Sequence, residues 1–84
     1  MADREEVFSA LKEVLVDRLK VEEGSVTEDA NLFEDLGLDS IDLTTVVMAV
    51  EERYGIEVSD DELENVTTLR EATELLSGKV AANA

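Results

Sequence analysis

A serine stands among four carboxylates in the stretch EDLGLDSIDL, Glu34 to Leu43. The serine is Ser40, and the acids are Glu34, Asp35, Asp39 and Asp42. A serine hydroxyl attacks a substrate only when a neighbouring base takes its proton. The chain has no histidine and no cysteine, and no lysine occurs between Lys20 and Lys79. The surrounding carboxylates are weak bases at neutral pH and would repel a developing oxyanion. A serine hydrolase is therefore a poor reading. A hydroxyl that receives a group from another enzyme needs no local base. It needs exposure, and Gly37 followed by a helix start at Asp39–Ser40 provides it. A phosphate ester there would meet the free N–H groups and positive end of a helix. Repulsion from Asp35, Asp39 and Asp42 opposes this, so the phosphate should lean into solvent or be met by a cation. The plainer alternative is that Ser40 only caps the helix.

The missing residue types exclude other chemistry. Without cysteine there are no disulfides, zinc clusters or thiol catalysis, and without histidine the commonest transition-metal ligand is lost. The acids do not follow the calcium-loop pattern. Counted from Asp29, the loop's fifth and sixth positions are Phe33 and Glu34, where the sixth should be glycine. Counted from Asp35, the twelfth position is Val46 in place of glutamate. No metal site is expected beyond weak divalent binding by clustered acids. The formal charge is −15, from 22 acids and 7 bases. That charge repels nucleic acid and anionic membranes and favours cationic partner surfaces. From Glu34 to Glu64 there are eleven acids and a single base, Arg53. No apolar run approaches the roughly 20 residues of a membrane span, and the N-terminus lacks the regions of a signal peptide. The expected location is the cytoplasm.

The elements that must position Ser40 are helical. Eighty-four residues make one domain with a modest core, expected to span 1–84 with a frayed tail at 79–84. The first helix is predicted from Asp3, as N-cap, to Leu19, with Val7, Phe8, Leu11, Val14, Leu15 and Leu19 on one face. A long connection from Val21 to Asp39 follows, anchored by Val26, Leu32, Phe33 and Leu36. The second helix runs from Ser40 to Tyr54 on the stripe Leu43, Val46, Val47, Val50 and Tyr54, and Gly55 ends it. Capping boxes at Ser59–Glu62 and Thr68–Glu71 open a short helix to about Asn65 and a last helix through Leu69, Ala72, Leu75 and Leu76, closed by Gly78. The fold class is all-α, three longer helices and one short one, with a long loop between the first two.

The neighbourhood of Ser40 resembles the acyl carrier protein family. DLGLDSIDL is similar to the family's Asp-Leu-Gly-x-Asp-Ser-Leu core, with Ile41 where leucine is usual. The likeness continues through VVMAVEERYGIEVSDDE and VTTL, covering about Phe33 to Leu76. It implies a four-helix bundle of acyl-carrier type that is not an enzyme. It implies that Ser40, flanked by Leu38, Asp39 and Ile41, receives 4′-phosphopantetheine from coenzyme A through a phosphopantetheinyl transferase. Acyl intermediates then travel as thioesters on that arm, in fatty acid synthesis or in a polyketide or specialised lipid pathway. The working thiol arrives with the cofactor, which accounts for a carrier without cysteine. Asp39 before the serine is similar to acyl carriers, whereas peptidyl carriers have histidine there. A free-standing monomer is expected.

The second helix has two faces. Opposite its core stripe lie Ile41 and Met48, with Thr45 between them and Glu52 one turn on. The resemblance implies that this face, with Asp39, Asp42, Glu51, Glu52 and Glu57, docks basic patches on enzymes that build and transfer acyl chains. Many members have an acid at the position of Thr45 and an aliphatic residue at that of Thr44. Phe8, Leu43, Val46, Val47, Val50, Leu69 and Leu76 are the candidates for lining an acyl cavity. The rival is an unmodified acidic adaptor, which would tolerate Ser40→Ala where a carrier would not.

Overall fold

The computed structural model describes residues 4–83, with side chains through 82. The predicted cap Asp3 lies outside the described residues. Helix α1 is Arg4–Asp17, α2 is Ser40–Tyr54, α3 is Asp60–Leu63 and α4 is Leu69–Asn83. α1 packs against both α2 and α4. The shared core holds Val7, Leu11 and Leu15 from α1, Leu43, Val46, Val47 and Val50 from α2, and Leu69, Ala72, Leu76 and Val80 from α4. Each set repeats at helical spacing, so each helix buries one stripe.

α1 stops two residues before the expected Leu19. Lys20 takes a left-handed conformation, φ 59°, and the Val21 N–H donates back to the Leu15 carbonyl at 3.0 Å. That bond reaches back six residues, one more than the closing bond of a Schellman turn, and lysine stands in the left-handed place that glycine usually holds at a helix end. α2 keeps its expected limits, and Gly55 at φ 67° terminates it. α4 departs most. Gly78 was expected to close it and the tail to fray, yet the helix continues through Gly78 to Asn83. Val80, only 8% exposed, joins the core and carries the helix past the glycine.

The long connection is stitched to the head of α4. The Leu32 N–H donates to the Thr67 carbonyl at 2.9 Å, and the Leu69 N–H to the Ala30 carbonyl at 3.0 Å. Asn31 and Thr68 form an isolated antiparallel bridge. Val26, Ala30, Leu32 and Leu38 sink into the core and Leu36 is half-buried. Phe33, expected as an anchor, instead stands 39% exposed, because the turn after Leu32 carries it outward. A one-turn 3₁₀ segment, Glu23–Ser25, is the connection's own regular structure.

Candidate functional site

The site begins at a turn. Gly37 adopts φ 69°, a conformation that side chains resist, and so reverses the chain between half-buried Leu36 and buried Leu38. Leu38, 7% exposed, is tied down by its N–H, which donates to the Leu32 carbonyl at 3.0 Å. Asp39 then caps α2. Its carboxylate accepts from the Asp42 N–H at 2.8 Å, and the Asp42 carboxylate accepts from the Asp39 N–H at 3.3 Å. This reciprocal pair satisfies two donors at the helix start. Sequence reasoning missed it because the usual signature has Glu or Gln three residues after the cap.

Ser40 is therefore not the cap. It is the first helical residue, it is exposed, and its hydroxyl makes no hydrogen bond among the described residues. Its carbonyl accepts from the Thr44 hydroxyl at 2.9 Å. Ser40 sits on the lip of a cleft of about 330 Å³ between the long connection, α2 and α3. Phe33, Leu43, Leu63 and Val66 give the cleft apolar walls, and Thr44, Asp60, Glu64 and Thr67 add polar lining. That volume is at the lower end of the ~300–1,000 Å³ typical of small-molecule sites.

The other predicted residues fall in two groups. On the outer face of α2, Ile41 is 73% and Met48 52% exposed, with Thr45 half-buried between them and its hydroxyl donating to the Ile41 carbonyl at 3.0 Å. Glu52 and Glu57 are exposed. Glu51 is half-buried, and its carboxylate accepts from the Val58 N–H at 3.0 Å, which ties the α2–α3 link to α2. In the interior, Leu43, Val46, Val47, Val50, Leu69 and Leu76 are buried. Of these, Leu43 alone also lines the Ser40 cleft. Phe8 is half-buried and lines a separate surface hollow with Arg4, Ser9 and Glu28. Phe33 was expected only as an anchor of the connection, and none of the cleft residues Phe33, Leu63, Val66 and Thr67 was expected at the site. Only the folding of the connection onto α4 brings them beside Ser40.

α3, the wall of the cleft that carries Asp60 and Leu63, has no fully buried residue. Polar contacts hold it. Ser59 and Glu62 form a capping box, and the Lys79 ammonium of α4 lies 2.8 Å from the Glu62 carboxylate. Lys79 first, then the Ser59 amide and hydroxyl, hold the Glu62 carboxyl down at about 2. The Thr68 amide, then that of Thr67, lower the Glu71 carboxyl in the corresponding box at the head of α4.

The sequence profile described as "Phosphopantetheine attachment site" matches residues 9–76. An acyl carrier protein of Thermotoga maritima is 41% identical over 80 residues, covering 95% of this chain and 99% of that protein. The chain belongs to the acyl carrier proteins. An acyl carrier protein of Rubrobacter xylanophilus is 44% identical over 72 residues, covering 86% of this chain and 89% of its own. A crystal structure of an acyl carrier protein from Thermotoga maritima superposes with a TM-score of 0.84 at 21% identity, over 96% of this chain and 94% of that one. That last likeness concerns the fold. Members of the family are carriers rather than catalysts, and this carrier bears a covalently attached 4′-phosphopantetheine group. No helix among the described residues is long and apolar enough to cross a membrane.

Proposed function

We propose that Ser40 bears the 4′-phosphopantetheine arm and that the chain delivers acyl intermediates to enzymes of fatty acid synthesis. One observation supports this most: Asp39 does the capping, so the neighbouring serine hydroxyl is exposed and uncommitted at the mouth of α2. When bound, the arm supplies the thiol that holds an acyl chain as a thioester. The chain's own part is to present the hydroxyl to a phosphopantetheinyl transferase. The helix start favours the phosphate through its positive end, and Asp39 and Asp42 turn it toward water. The core residues Leu43, Val46, Val47, Val50, Leu69 and Leu76, with Phe8 at the margin, are the apolar material available to shelter an acyl chain.

The docking surface is the outer face of α2. Ile41 and Met48 offer apolar contact, Thr45 lies between them, and Asp39, Asp42, Glu51, Glu52 and Glu57 supply negative charge for a basic partner surface. Such pairing chiefly raises the association rate and weakens with salt. The carrier acts as a cytoplasmic monomer, with residues 1–84 as a single domain.

The test is intact mass after incubation with coenzyme A and a broad-specificity phosphopantetheinyl transferase, followed by peptide mapping. The expected result is one arm's mass gain on Ser40, absent in Ser40→Ala. An unchanged mass with an active transferase would assign the chain to the acidic adaptor reading.

A further inference from the structure

We propose that the Phe33 ring is the surface against which the aliphatic segment of the arm on Ser40 rests, holding the arm over the cleft. This builds on the assignment of the arm to Ser40. Phe33 is 39% exposed although its neighbour Leu32 is 2% exposed. It does not ride on a loose tip. The Asn31 side-chain oxygen accepts from the Phe33 and Glu34 N–H groups, both at 2.9 Å, and the Asn31 N–H donates to the Asp35 carboxylate at 2.7 Å. One residue away, Leu32 is hydrogen-bonded to Thr67. The fold therefore fixes the backbone beneath an aromatic ring and leaves much of the ring uncovered. The other large exposed hydrophobics among the described residues, Ile41 and Met48, do not line this cleft, whereas Phe33 and Ser40 do.

The chemistry of the arm fits that placement. Its phosphodiester meets Asp39 and Asp42 at the helix mouth, and the cleft itself contributes Asp60 and Glu64 and no cation. The anion therefore turns outward. The next group along the arm is uncharged and apolar, a quaternary carbon with two geminal methyls. A phenyl face and two methyls gain by leaving water together. Covalent attachment sets an effective concentration of order mM, so one weak contact is enough to bias where the arm lies.

The experiment is a proton NMR comparison of the loaded protein with free coenzyme A, for wild type, Phe33→Leu and Phe33→Tyr. Ring currents displace nuclei held over an aromatic face, so the geminal methyl resonances of the loaded wild type should lie upfield of their free positions. Phe33→Leu should return them toward the free positions, and Phe33→Tyr should retain the displacement. Phe33 lies outside the core, so both variants should keep the wild-type melting temperature and circular dichroism. Methyls at their free positions in the wild type, or a displacement unchanged in Phe33→Leu, would overturn the inference while leaving the mass gain at Ser40 intact. Absence of that mass gain would overturn the attachment assignment and this inference with it.

Discussion

At Asp39 and Ser40, two adjacent residues of nearly equal capping propensity have different duties. Backbone geometry decides between them: Asp39 is extended, φ −110° and ψ −176°, while Ser40 is already helical. Removing the Asp39 carboxylate leaves the Asp42 N–H without its acceptor. Asp39→Ala should therefore cost about 1 kcal/mol, within the 0.5–2 kcal/mol range for lost N-caps. Ser40→Ala removes an exposed hydroxyl with no partner and should stay within about 0.5 kcal/mol of wild type. Urea melts of the unmodified protein check both. Equal losses would mean that Ser40 shares the capping. The sequence pointed to the right pair of residues but could not divide the work, because Ser and Asp both favour extended backbone before a helix.

At the level of elements, the same physics explains what could and could not be read in advance. The limits of α2 were legible from a complete apolar stripe and Gly55, although the cap was not. The two Glu-bearing capping boxes were legible too, because their spacing is local. The end of α4 was not. Gly78 is a strong stop signal, but it sits in helical geometry with open space around it, and burial of Val80 outweighs its low propensity. A glycine there costs about 1 kcal/mol relative to alanine. Gly78→Ala should thus stabilise the protein by about that amount, read as a higher urea midpoint at unchanged slope. The cleft was equally illegible, since Phe33 meets Leu63 and Val66 only after the long connection bonds to α4. α3 shows how lightly that cleft is walled. Lys79→Met should raise the Glu62 carboxyl from about 2 partway to its ordinary 4.5, since Ser59 still donates to it. A depressed carboxyl contributes stability above its unfolded value, and that contribution is lost as pH falls toward the folded one. The wild type should therefore lose the Glu62 contribution between about 4.5 and about 2, and Glu71 acts in the same direction. In Lys79→Met the Glu62 part of that loss should shrink. Side-chain carboxyl NMR titration reads the shift directly, and acid melts read its consequence.

For the whole molecule, the dominant quantity is the charge of −15 on a body 31 × 24 × 20 Å across. At low ionic strength, about 10 mM, the screening length is ~30 Å, so acids on opposite sides repel one another. At physiological ionic strength it falls to ~8 Å, and mainly near neighbours such as Asp39 and Asp42 or Asp60 and Asp61 still interact. Salt also weakens ion pairs, but the six found among the described residues involve partly exposed side chains, and such pairs are worth only ~0–1 kcal/mol each. Relief of repulsion should win, and the melting temperature should rise with sodium chloride. Each kcal/mol gained corresponds to about 4–8 °C for a domain of this size. Millimolar magnesium should raise it further at equal ionic strength, because a divalent ion is drawn more strongly to paired carboxylates. Among the described residues no three or more acids are arranged to hold a metal ion. Calcium and magnesium should therefore act alike, with a gradual rise and no sharp saturation. A melt series in the three salts checks this. Indifference to all of them would show that the acids are too well spaced to strain the fold, and a sharp calcium-specific rise would reveal a built site instead of a diffuse field.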